Sequence, residues 1–169
     1  SSDPRRIIFS EGDFLPGLIA DQYNDVIILQ LLTAGMDRFR NIIVKVLSEL
    51  PGVKGIYERS DASIRQHEGL DSKSGLLWGS VPELVETVFD GLKILVSVEK
   101  GHKTGLYLDQ RFNRQVVSQF AKNARVLDVF ANTGLFGFYA LKSGASSVTA
   151  VEMSAEMSQL CKEGAKRNK

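Results

Sequence analysis

The sequence predicts an α/β chain in two parts: a small α+β unit over residues 1–99, then, over residues 100–169, the start of an open sheet of the mononucleotide-binding kind. Three observations predict this. Val126-Leu127-Asp128-Val129-Phe130 is a short, largely apolar run suited to a strand covered on both faces, and Asn132-Thr133-Gly134 supplies a tight turn after it. A second apolar run, Ser147 to Glu152, then ends on an acid. Strand, turn, helix and strand make a βαβ unit, and ligands in open α/β sheets bind at its strand-to-helix edge.

Each element follows from local chemistry. Leu18 to Asp21 and Val26 to Leu31 flank Tyr23-Asn24-Asp25, a hairpin signal. Asp37 to Leu50 carries Phe39, Ile42, Ile43, Val46, Leu47 and Leu50 at helical spacing, and Pro51-Gly52 ends it. A strand from Gly55 to Arg59 precedes a short helix with Asp61 as its N-cap, which turns at Glu68-Gly69. Leu84 to Phe89 and Leu92 to Val98 are joined by Asp90-Gly91, a dipeptide that accepts the positive φ angles of a type I′ turn. The boundary between the two parts is expected near Glu99 to Gly101. Helices from Phe112 to Ala121, Leu135 to Lys142 and Ala155 to Arg167 complete the second part.

The glycine pattern bears on the ligand. A dinucleotide fold needs G-x-G-x-x-G so that backbone can approach a pyrophosphate, but Phe130 and Asn132 stand at the first two glycine positions. What remains is Asp128, Thr133-Gly134 and Glu152. Carboxylates accept ribose hydroxyls, and a ligand carrying an ammonium and a sulfonium tolerates acids where a phosphate is repelled. S-adenosylmethionine fits that description.

Residues 101–114, GHKTGLYLDQRFNR, lie directly upstream. GHKTGLYLDQR followed by VLDVFANTGLFG resembles the ribosomal RNA methyltransferases that form 5-methylcytosine in large-subunit RNA and carry an N-terminal PUA domain. EGDFLPGLIADQY (11–23), LQLLTAGMDR (29–38), YERSD (57–61) and RQHEGL (65–70) are similar to that family's middle domain, in the same order. The resemblance implies a Rossmann-like class I methyltransferase domain beginning at residue 100, S-adenosylmethionine as cofactor and ribosomal RNA as partner. It implies cofactor contacts at Asp128, Phe130, Ala131, Thr133, Gly134 and Glu152. Lys103, with Thr104, would border the methionine end, and Tyr107 and Gln110 would line the same pocket; the alternatives are loop chemistry for the first pair and, for Tyr107, seating the incoming helix.

In that family a later Asp-Pro-Pro strand and a Ser-Cys-Ser segment follow, whose cysteine adds to C6 of the cytosine so that C5 takes the methyl group. Neither motif occurs here, so no catalytic residue is expected, and the resemblance implies an internal piece of a longer enzyme. A two-stranded remnant of a parallel sheet would leave an edge and an apolar face uncovered, from which a homodimer is expected.

Composition narrows the classes further. The chain has 169 residues, 43% hydrophobic and 24% charged, and a net charge of +1, which does not announce a nucleic-acid binder. Locally, Lys100, Lys103, Arg111 and Arg114 against Asp109 give +3, which suits phosphate contact or a solvated face. One cysteine, Cys161, excludes an intrachain disulfide and reads as a packing residue among Met157, Leu160 and Ala165. No run reaches the roughly 20 apolar residues of a membrane helix, and SSDPRRIIFS has no signal-peptide core, so a cytoplasmic protein is expected. His67 and His102 lack partners at ligand spacing, which argues against a metal. Trp78 reads as core or interface before base stacking, and Arg59, Asp61 and Arg65 as an ion network. The competing functional readings are a noncatalytic RNA-binding module and a dinucleotide-binding oxidoreductase.

Overall fold

The computed structural model describes residues 3–61, 63–100 and 103–169. They form a mixed α/β fold divided into two units: residues up to Thr87 together with Val96–Leu106, and Val88–Leu95 together with Tyr107–Lys169.

In the first unit, β1 (Arg5–Phe9), β2 (Leu18–Tyr23), β3 (Val26–Leu31), β4 (Gly55–Ser60) and β5 (Lys73–Gly79) lie side by side in sequence order. Only β3 and β4 pair in parallel, because α1 (Ala34–Arg38) and α2 (Arg40–Ser48) carry the chain back between them. One face of the sheet buries Leu18, Ala20, Ile27, Leu29, Leu31 and Ile56 against Leu47 of α2 and Val53. Each such side chain contributes roughly 1.5–3 kcal/mol on burial.

The expected single helix from Asp37 is in fact two. It begins earlier, at Thr33, whose hydroxyl accepts the Met36 N–H at 3.4 Å, and it breaks at Phe39 (φ −89°, ψ 4°). The break rotates the apolar stripe: Ile43, Val44 and Leu47 meet the sheet, while Phe39, Ile42 and Val46 are exposed. Asp61 does not cap the next helix, α3 (Ile64–His67). The cap position falls on Ser63, without a side-chain bond, and Arg65 anchors the segment instead, donating to the Asp71 carbonyl at 2.7 Å and to Asp37 Oδ1 at 3.0 Å. The expected ion network therefore runs through Asp37 and Arg65. Strands β1 and β5 carry no alternation strong enough to have been expected; Trp78 lies on β5 and is 39% exposed, not core.

A buried polar anchor fixes the end of this unit. Asp21, fully buried on β2, accepts Arg6 Nε at 2.8 Å and Nη2 at 2.9 Å and also the Thr104 hydroxyl. Two residues along β2, the Tyr23 hydroxyl accepts the Leu106 N–H at 3.0 Å. Burial, with the Asp21 charge beside it, pushes the Tyr23 phenol well above its ordinary range.

β6 (Leu84–Phe89) and β7 (Leu92–Ser97) form a hairpin that runs through both units. Its tip has the left-handed pair expected, Asp90 at φ 50° and Gly91 at φ 78°. Within the second unit that tip is held by side chains: Asp90 accepts Arg111, the Tyr139 hydroxyl and Gln115 Nε2, the last at 3.1 Å. A 3-10 turn (Leu108–Gln110) leads into α4 (Arg111–Ser118), then β8 (Arg125–Val129), α5 (Leu135–Lys142), β9 (Ser147–Val151) and α6 (Ala155–Arg167). β8 and β9 pair in parallel, Arg125 opposite Ser147 through Val129 opposite Val151, with α5 as the crossover. Among the described residues no helix is long and apolar enough to cross a membrane.

Candidate cofactor site

The C-terminal ends of β8 and β9 carry the candidate site. Beyond β8 the chain takes three left-handed residues in close succession, Phe130 (φ 60°), Asn132 (φ 52°) and Gly134 (φ 83°), which fold it back onto the sheet end before α5 begins. The Ala131 N–H donates to the Val151 carbonyl at 3.0 Å, and the Gly134 N–H to the Ala131 carbonyl at 2.8 Å. The neighbouring strand tightens the turn through a carboxylate. Glu152 Oε2 accepts the Asn132 N–H at 2.7 Å, while its Oε1 accepts the Ser154 N–H at 2.9 Å.

Asp128 points toward the first turn of α5. Its Oδ2 accepts the Gly137 N–H at 3.0 Å, one of the amides a helix N-terminus leaves unpaired, at the end where the helix dipole favours negative charge. Burial raises the Asp128 carboxyl above its ordinary range, and the Gly137 N–H offsets only part of that rise.

Two glycines are required by space. A Cβ on Gly134 would stand 2.4 Å from Cys161 Sγ, in addition to the strain of its positive φ. One on Gly137 would meet Val148 Cγ1 at 2.9 Å, so α5 could not approach β9 as closely. Cys161 is thus the floor under the turn. Burial, with Asp128 and Glu152 nearby, pushes its thiol up, which agrees with a packing role and not a nucleophilic one.

The structure therefore brings together Asp128, Phe130, Ala131, Thr133, Gly134 and Glu152 at one sheet end. Thr133 and Gly134 are buried, while Phe130 and, just beyond Glu152, Met153 are 87% and 98% exposed. Met153 was not singled out in the sequence; its signal was an apolar residue directly after the acid that ends the second run. Tyr107 caps the 3-10 turn before α4 and Gln110 ends it: the Tyr107 carbonyl accepts Arg114 Nη2 at 2.6 Å and Gln110 Oε1 accepts Asn113 Nδ2 at 2.9 Å. Lys103 belongs to the first unit and is exposed at φ 53°. Its neighbour Thr104 is buried and donates its hydroxyl to Asp21, a structural anchor that neither the cofactor reading nor loop chemistry anticipated. Gly101 and His102 lie outside the described residues.

The donor set fits S-adenosylmethionine. A carboxylate carries about four acceptor positions, and Glu152, which takes two main-chain amides, is the kind of acceptor that ribose hydroxyls donate to. Asp128 and Glu152 both place acid at this sheet end, chemistry that a ligand with an ammonium and a sulfonium tolerates and a phosphate does not. Among the described residues no group of His, Cys, Asp and Glu is arranged to hold a metal.

Comparison with known proteins agrees with this geometry. The family described as S-adenosylmethionine-dependent methyltransferase matches residues 6–168. The ribosomal RNA large subunit methyltransferase I of Tolumonas auensis is 43% identical over 166 residues, covering 97% of this chain and 42% of that protein. The protein of the same name from Pseudoalteromonas atlantica is 48% identical over 163 residues, covering 96% and 40%. The chain thus spans about two fifths of the length of these curated relatives. Among solved structures, a methyltransferase complexed with SAH superposes with a TM-score of 0.82 at 26% identity, covering 99% of this chain and 42% of that one.

Proposed function

Because the chain belongs to the S-adenosylmethionine-dependent methyltransferase family, we propose that it forms the cofactor-binding and middle portion of a ribosomal RNA methyltransferase acting at C5 of cytosine. The observation that carries the cofactor reading is the pair of carboxylates bracketing the turn, Asp128 on the Gly137 N–H and Glu152 on the Asn132 N–H. RNA as substrate is supported by the names of the relatives. The cytosine-5 specificity and a PUA domain in the parent protein rest on the motif resemblance, as do contacts from Lys103, Tyr107 and Gln110.

In this reading Glu152 holds the ribose, and the exposed Phe130 and Met153 give apolar contact to the adenine. Asp128 takes the ammonium end. Ala131, Thr133 and Gly134 supply a backbone wall without bulk. The cofactor, when bound, supplies an activated methyl group, and these residues fix its direction. Such orientation is worth on the order of 7 kcal/mol or more in favourable intramolecular cases. The sequence holds no Asp-Pro-Pro and no Ser-Cys-Ser, so the proposal includes that this chain alone positions the donor without completing transfer.

Titration calorimetry with S-adenosylhomocysteine and NAD tests the proposal. It predicts saturable binding of the first and none of the second. Equal binding of both, or binding of NAD alone, would restore the oxidoreductase reading.

A further inference from the structure

Arg114 belongs to the basic cluster that the sequence assigns to phosphate contact or to a solvated face, yet the residue is only 3% exposed. Its guanidinium Nη2 donates to the Tyr107 carbonyl at 2.6 Å, the same carbonyl that closes the 3-10 turn by accepting the Gln110 N–H at 3.2 Å. Its central carbon stands 5.6 Å from the ring centroid of Phe89, at the end of β6, and 5.6 Å from that of Phe136, in the first turn of α5. All of these residues lie within the second unit.

Burying a cation is costly, and an apolar side chain of similar volume fills such a space at lower cost. What a guanidinium adds is direction. Its planar fork fixes where an acceptor sits, and it is drawn to aromatic ring faces, so one side chain sets the positions of three elements. Two of those elements carry cofactor residues. Phe136 directly precedes Gly137, whose N–H holds Asp128 Oδ2 at 3.0 Å, and it closely follows the turn over residues 131–134. At the other end of the clamp, Tyr107 and Gln110 bound the 3-10 turn.

We propose that Arg114 is a positioning residue for cofactor binding: without touching the ligand, it locks the turn bearing Tyr107 and Gln110 to the turn of α5 that orients Asp128. The proposal rests on the S-adenosylmethionine reading above, in which Tyr107, Gln110 and Asp128 line one pocket. Residues that hold contact residues in place govern affinity nearly as strongly as the contacts themselves.

The test is titration calorimetry of the full chain with S-adenosylhomocysteine, in the parent and in variants. Arg114→Lys keeps the charge and loses the fork, and is expected to weaken binding by about tenfold. Phe136→Leu leaves the arginine and its carbonyl bond, removes one ring, and is expected to weaken binding by less. In ¹⁵N spectra without ligand, both variants are expected to move the amides of residues 107–110 and 135–137 together. In a chain already carrying Tyr107→Ala and Gln110→Ala, Arg114→Lys is expected to cost much less affinity, because the wall it positions is gone. Parental affinity in Arg114→Lys, even with a lowered unfolding midpoint, would leave the residue a purely structural role and overturn the proposal. An undiminished loss in the triple variant would overturn it as well. If the buried lysine unfolds the chain, Phe136→Leu decides the question, and unchanged affinity there overturns the proposal. A parent chain that binds no S-adenosylhomocysteine would instead overturn the cofactor reading, and the positioning role with it.

Discussion

Glu152 Oε2 accepts the main-chain N–H of Asn132 at 2.7 Å, which ties the tip of β9 to the turn that follows β8. The same carboxylate holds the Ser154 N–H, so one side chain closes the turn and opens the approach to α6. Glu152→Ala strips both amides of their acceptor and is expected to lower stability by about 1–3 kcal/mol in denaturant unfolding. Glu152→Gln keeps an acceptor and is expected to lose less stability, while still weakening S-adenosylhomocysteine. Variants that fold normally and bind as tightly as the parent chain would remove Glu152 from the site.

Gly134 carries two separate constraints, its φ of 83° and the Cys161 Sγ standing 2.4 Å from any added Cβ. Gly134→Ala is expected to destabilise by about 2–4 kcal/mol, part from the left-handed backbone and part from overpacking. Adding Cys161→Ala relieves only the second part. The double variant is therefore expected to be more stable than the sum of the single effects, and strict additivity in a double-mutant cycle would show that the two residues do not press on each other.

Asp128 has a carboxyl raised by burial, so its ionisation opposes folding. For a group whose folded pKa lies above the unfolded one, the stabilising contribution is fully present below the unfolded value, about 4, and is lost as pH rises through the folded value. Asp128→Asn keeps an acceptor for the Gly137 N–H and removes the charge. The variant is expected to be as stable as the parent chain or more so at pH 7 and to lose part of the pH slope, while its affinity for S-adenosylhomocysteine falls. A variant that is less stable at pH 7 would mean that the ionised carboxylate itself supports the fold.

Local signals carried much of this fold. The Asp90-Gly91 turn, the helices Leu135–Lys142 and Ala155–Arg167 and the acid-terminated second strand all announce themselves through residues close in sequence. What sequence could not supply were the long-range partners. Thr104 meets Asp21 across 83 residues, so a motif that reads as a ligand loop contains a buried anchor for β2. Strands β1 and β5 exist because β2 and β4 offer them edges, and their own residues give weak alternation. The same holds within the site. Asp128, Thr133, Gly134 and Glu152 were visible as residue types in order, but not that Asp128 would turn to the Gly137 amide and Glu152 to the Asn132 amide, because those choices depend on how α5 packs on β9.

One flank of the two-stranded sheet is apolar and open. Leu127 and Val129 of β8 are exposed, and with Phe120 they line a groove of about 370 Å³ beside α4. An unprotected strand edge with an apolar face recruits another strand. The isolated chain is expected to dimerise, and Leu127→Lys with Val129→Lys to shift it to monomer in light scattering. A parent chain that is monomeric at high concentration would contradict this.

The central claim, that the β8–α5 turn with Glu152 is a cofactor site, is tested most directly by following main-chain amides of the ¹⁵N-labelled chain during titration with S-adenosylhomocysteine. The account predicts saturable shifts at Asn132, Thr133, Gly134, Gly137 and Ser154, the amides in or held to that turn, and their loss in Glu152→Gln. Saturable shifts elsewhere with these amides unmoved, or none at all, would contradict it.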